Sequence, residues 1–152
     1  MRAVVLLFAA AVSLVFAAEF QLTTDKIIVD EINLKSTFIG NVIITKENDK
    51  LRADTATVYF NKKFDPLRYE ASGNISADMT INNRRYHASG EYLSYDAEMN
   101  VYTLTKNAFL EETDTGRKIY GDMISVNQNN STYTVDGSAQ PAKFIFQIDD
   151  KK

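Results

Sequence analysis

The chain holds 152 residues, enough for one domain with a sizeable core but short of two. Its formal net charge is −3 and its 17 Lys and Arg are scattered, so no basic block neutralises phosphates and nucleic acid is excluded as a partner. Cysteine is absent, which excludes disulfides, thiolate metal sites and a thiol nucleophile, while eight Tyr, nine Phe and many Val, Ile and Thr favour strands.

Met1-Arg2 opens the chain with a positive charge, and Ala3 to Ala18 is an apolar run broken only by Ser13. That run falls short of the roughly 20 residues that cross a bilayer. Residues 1–18 therefore read as a cleaved secretory signal peptide, ending after Ala17 or Ala18, and the rival reading is a retained membrane anchor. No cysteine follows to carry a lipid. The mature domain, residues 19–152, is expected outside the cytoplasm.

From Glu19 on the period is two, not 3.6. In order, the predicted strands are 20–22, 27–29, 38–44, 51–60, 69–80, 86–96, 101–113, 119–127, 132–139 and 143–148. Turn residues separate them, among them Glu47 to Lys50, Asn61 to Pro66, Asn82-Asn83-Arg84, Glu98 to Asn100 and Asp114-Thr115-Gly116.

Within Leu51 to Phe60 the apolar residues change phase: Leu51 and Ala53 share one parity, Ala56, Val58 and Phe60 the other. The slip falls beside Asp54, and similar slips fall beside Asp25, Glu91 and Asp122. A second motif interleaves with it, at Gly40-Asn41, Gly73-Asn74, Lys106-Asn107 and Gly137-Ser138. The unit is a hairpin in four copies, and repeats of this kind stack to bury one continuous core. Strands that bend at one fixed point let a sheet fold over on itself, with a bulge expected at the small–acid pair. The fold class is all-β: two facing sheets built from antiparallel hairpins that share bent strands, with open ends.

No catalytic constellation stands out. His87, the only histidine, has no Ser or Cys partner at a recognisable spacing and is expected to point outward. Asp25, Asp54, Glu91 and Asp122 could in principle serve a hydrolase or a calcium site. Their recurrence at the bend favours a structural hydrogen-bonding role. Neither phosphate-loop glycine motif occurs, and no cofactor is expected. What remains is an apolar lane: Ile27 and Val29, Val42 and Ile44, Val58 and Phe60, Leu93 and Tyr95, Ile124 and Val126. It is either an ordinary sandwich core, which the pattern alone favours, or a bed for an apolar ligand between two sheets held apart.

Thr37-Phe38-Ile39-Gly40-Asn41-Val42-Ile43-Ile44-Thr45 with Leu51-Arg52-Ala53-Asp54 resembles the F-T-G-N-V-x-V-T…I-x-A-D start of the OstA-like domain family. Val101 to Glu112 and Ile119-Tyr120-Gly121-Asp122 are similar to the family's V-L-T-G-N-A-x-L and I-x-G-D runs, although Lys106 replaces the usual glycine and Ser138 the usual asparagine. The resemblance implies a twisted β-jellyroll, or β-taco, acting in the periplasm. It implies that lipopolysaccharide is the ligand, with the lipid A acyl chains in the groove, and that the protein carries it from the inner to the outer membrane. Implied partners are further copies of the chain, stacked head to tail, and inner- and outer-membrane lipopolysaccharide export components with similar domains. Phe20, Leu22 and Tyr95 match family groove positions, and Ile44, Val58, Phe60, Leu93, Leu104, Leu110 and Ile124 are expected to line the groove with them. Two alternatives stand beside this reading: an inner-membrane-anchored component of the same export machine, and a secreted polysaccharide hydrolase.

Overall fold

Period-two alternation along nearly the whole domain leaves only one way to satisfy the backbone, which is strand against strand. A computed structural model describes residues 20–148; the segment read as a signal peptide, the side chain of Phe20 and Asp149-Asp150 lie outside the described residues. Ten strands form one antiparallel meander: β1 (Phe20–Thr23), β2 (Lys26–Asp30), β3 (Lys35–Lys46), β4 (Asp49–Phe60), β5 (Pro66–Ile81), β6 (Arg84–Asp96), β7 (Val101–Glu112), β8 (Arg117–Asn127), β9 (Thr132–Asp136) and β10 (Lys143–Ile145). Each of β3 to β8 pairs with its sequence neighbours; β1 and β2 share β3, and β9 and β10 share β8.

The phase change has a definite origin. The register shifts once in the middle of every long hairpin, between Ile39 and Val42, Arg52 and Thr55, Ser72 and Ile75, Ser89 and Tyr92, and Thr105 and Ala108. Even-numbered strands cross the bend in three residues, as from buried Ala53 to buried Ala56, and so change parity. Odd-numbered strands take four, from Phe38 to Val42, Ala71 to Ile75 and Leu104 to Ala108. The extra residue therefore lies in the Gly-Asn motif and not at the small–acid pair, which corrects the expected site of the bulge. Two consecutive left-handed residues make it: Gly40 (φ 85°) and Asn41 (48°), Gly73 (81°) and Asn74 (49°), Lys106 (62°) and Asn107 (50°). Glycine and asparagine tolerate that conformation at the lowest cost.

An acid locks each bulge, Asp54 and Glu91 from the preceding strand and Asp25 from the break between β1 and β2. Asn41 Nδ2 donates to Asp25 Oδ2 at 2.9 Å, Asn74 Nδ2 to Asp54 Oδ2 at 2.9 Å, and Asn107 Nδ2 to Glu91 Oε1 at 3.4 Å. A Cβ on Gly40 would lie 2.6 Å from the Asp25 carboxylate, and one on Gly73 2.3 Å from that of Asp54. At the third corner a real side chain, Lys106, occupies the glycine position, and there the acid is the longer Glu91. At the fourth, Asp122 Oδ2 accepts from the Ser138 backbone N–H, from Ser138 Oγ at 3.0 Å and from Gln140 N–H at 3.2 Å. These bonds hold the Asp122 carboxyl below its ordinary value, the Ser138 N–H contributing most and the Gln140 N–H next.

Here the chain leaves the sheet. β9 ends at Asp136 and β10 spans only Lys143–Ile145, shorter than the predicted 132–139 and 143–148. Ser138 gives its N–H to Asp122 instead of to a ladder, and Pro141 has none to give.

Bending the six long strands β3 to β8 at one level divides the sheet into two limbs. One comprises β1, β10 and segments 42–46, 49–53, 75–81, 84–90, 108–112 and 117–121. The other comprises β2, β9 and segments 35–39, 55–60, 66–72, 92–96, 101–105 and 123–127. At the β7–β9 end the limbs close on each other. Tyr86 and Tyr133 share a hydroxyl hydrogen bond of 2.7 Å, and Asn82 Nδ2 donates to Ser131 Oγ at 3.2 Å.

Candidate functional site: an apolar cavity between the limbs

Cross-strand register lines up one row of inward side chains just past the bend: Ile27, Phe38, Ala56, Ala71, Leu93, Leu104, Ile124 and Val135. Small residues occupy β4 and β5, and branched ones occupy β7 and β8. The consequence is direct. Leu104, Leu110 and Ile124 fill the space at the closed end and are only 4%, 4% and 2% exposed. Opposite Ala56 and Ala71 the limbs enclose a partly open cavity of about 380 Å³.

The next row out frames it with Ser36, Val58, Tyr69, Tyr95, Tyr102 and Val126. Tyr95 and Tyr102 stack with centroids 4.4 Å apart, and Tyr69 lies 6.0 Å from Tyr95. Tyr95 Oη donates to Asn100 Oδ1, which fixes the ring at the turn between β6 and β7. Burial raises the Tyr69 and Tyr95 phenols and pushes Tyr102 up to about 12, so all three stay neutral at ordinary pH. From the other limb Leu22, Ile44 and Leu51 complete the wall.

Six residues expected on the groove line this cavity: Leu22, Ile44, Val58, Phe60, Leu93 and Tyr95. Leu104, Leu110 and Ile124 instead belong to the packed core beyond it. Phe38, Leu51, Ala56, Tyr69, Ala71 and Tyr102 also line it, and the sequence pattern did not place them on the groove. The register across each bend is what places them, and it becomes countable only once the four-residue crossings are known.

Charge enters the lining at Lys46 and Glu70. Glu70 is committed to Arg68 (Nε–Oε1 2.7 Å) and accepts from Tyr59 Oη at 3.3 Å. Outside, on the sheet's solvent face, His87 Nδ1 lies 2.8 Å from Asp78 Oδ1 and its ring packs edge-on to Phe109. Among the described residues no group of His, Asp and Glu is placed to hold a metal ion. The recurring acids are spent on the corners. What the limbs enclose is an apolar space framed by tyrosines.

Residues 21–132 match the family described as LptA/(LptD N-terminal domain) LPS transport protein. The fold is similar to the crystal structure of LptH from Pseudomonas aeruginosa, described as the LptA-homologous periplasmic component of the conserved lipopolysaccharide transport device. The TM-score is 0.72 at 16% identity, covering 86% of this chain and 96% of that one. No curated protein matches the chain.

Proposed function

Because the chain belongs to the LptA/LptD N-terminal domain family of LPS transport proteins, we propose that it carries lipopolysaccharide across the periplasm with lipid A acyl chains held between its limbs. The observation that carries this reading is the apolar cavity opposite Ala56 and Ala71, walled by Leu22, Ile44, Val58, Leu93 and the tyrosine row. Each buried methylene contributes roughly 0.8 kcal/mol, so about eight of them give about 6 kcal/mol before ordering costs. That is a hold of roughly tens of micromolar strength at best, which suits a carrier that must also release.

The same reading has copies joined end to end, with the terminal copies meeting inner- and outer-membrane export components. Among the described residues both ends of the sheet are edge strands, paired on one side only and carrying apolar side chains. Ile27 is 56% exposed on β2, and Phe144 and Phe146 are 54% and 51% exposed on and just after β10. Such edges are templates for strand addition, and joining unlike ends builds an open filament. Two measurements on the purified protein test this: binding of lipopolysaccharide, and particle mass as protein concentration rises. Saturable binding with mass growing in steps of one chain is expected. A protein that binds no lipopolysaccharide would overturn the carrier reading, and one that stays monomeric throughout would overturn the stacking.

A further inference from the structure

Among the described residues Lys46 is the one cation on the lining of a mostly apolar cavity, in a protein of net negative charge. It ends β3 at the rim, cross-strand from Asp49 and adjacent in the same limb to Ile44 and Leu22. Asp49 does not neutralise it. That carboxylate accepts from Arg85 Nη1 at 2.8 Å and from the Thr80 N–H at 3.0 Å. Glu70, the other charged lining residue, is held by Arg68. Among the described residues Lys46 makes no ion pair, and its side chain is exposed to solvent. An ammonium at the mouth of an apolar cavity matches a ligand with an apolar chain and an anionic head, the chain inside and the head at the rim.

We propose that Lys46 Nζ selects the head group of the bound lipid, favouring a phosphate or carboxylate attached to the chain that fills the cavity. The inference rests on the groove reading above, and it names a chemistry that acyl burial alone does not supply. Burial is indifferent to the head; Lys46 is not. Because the site is solvated, its contribution is that of an exposed ion pair, about threefold in affinity, and it is screened by salt.

The test uses one chain length with four heads: dodecyl phosphate, dodecanoate, dodecanol and dodecyltrimethylammonium. Each displaces an apolar fluorophore from the purified protein below its micelle concentration. The native protein is expected to bind both anions about threefold more tightly than the alcohol, and the cation more weakly than the alcohol. In roughly 1 M salt the differences vanish. Lys46→Gln abolishes the anion preference and leaves the alcohol unchanged, while Lys46→Arg retains the preference. Whichever anion loses more on substitution identifies the head that the lysine serves. An anion preference that survives in Lys46→Gln overturns the assignment, as does an equal loss for the alcohol. If the alcohol fails to displace the fluorophore from the native protein, the groove reading itself falls. A flat series with normal alcohol binding removes only the role of Lys46.

Discussion

Gly73→Ala isolates the physics of the corner. A Cβ at Gly73 meets Asp54 Oδ2 at 2.3 Å and the Asp54 Cβ and Cγ at 2.8 Å. The carboxylate can rotate aside, but the Asp54 Cβ is fixed to the β4 backbone. Overpacking of this kind costs about 1–3 kcal/mol. Alanine at φ 81° adds about 1 kcal/mol for the left-handed backbone. The expected total is about 3 kcal/mol, a large share of the ~5–15 kcal/mol typical of a domain. Gly116 supplies the control, since it has φ 71° with nothing within 4 Å of an added Cβ. Gly116→Ala should therefore cost only about 1 kcal/mol. Removing the obstacle should remove the excess: in an Asp54→Gly background Gly73→Ala should also fall to about 1 kcal/mol, with Asp54→Ala intermediate. Urea unfolding, followed by far-ultraviolet circular dichroism and tyrosine fluorescence, gives each value. Equal costs for Gly73→Ala and Gly116→Ala would refute the lock, and so would a Gly73→Ala cost that is unchanged in the Asp54→Gly background.

Four further substitutions have outcomes set by the same geometry. Ala71→Leu places a branched side chain where the cavity now lies; it should leave stability within about 1 kcal/mol of native, because the space exists, and should sharply reduce acyl binding in a displacement titration. Leu104→Ala, in the packed end, should cost about 2–5 kcal/mol. Ile44→Ala, on a wall already facing open space, should cost less than half as much in the same urea assay while weakening ligand. Asp122 has a depressed folded value, so its stabilisation is complete above the unfolded value near 3.8 and is lost as pH falls through the folded one. Asp122→Asn should accordingly flatten the acid limb of a stability–pH profile between about pH 5 and 2 and leave the neutral plateau of that profile flat.

Much of the fold was legible because a strand writes itself with period two and a bend writes itself as a change of phase. Leu51 to Phe60 carried both signals, and Asp54 marked the level of the corner. The location of the extra residue was not legible there. Odd-numbered strands cross the bend in four residues and keep their parity, so Ala71 and Ile75 look like an uninterrupted alternation. Only the pairing with β4 and β6 exposes the bulge. The cavity was hidden for a related reason. Its existence depends on alanines at 56 and 71 lying in one cross-strand row with Leu104 and Ile124, and residues so far apart in sequence cannot be compared until the registers are known. Apolar identity alone grouped Leu104, Leu110 and Ile124 with Val58 and Tyr95; side-chain volume along the row separates them. The C-terminal strands were overread because the pattern at 132–139 continues past the point where Ser138 turns its N–H to Asp122.

Photo-crosslinking in cells that make lipopolysaccharide tests most directly whether acyl chains lie between the limbs. A photoreactive residue at Val58, Tyr95 or Tyr102 faces the cavity, and one at Ser94 or Thr103 sits on the same strands but on the opposite side of the pleat. Lipopolysaccharide adducts at the first three positions and none at the last two are predicted. Adducts absent from every cavity position, or as frequent on the outer face, would contradict the account.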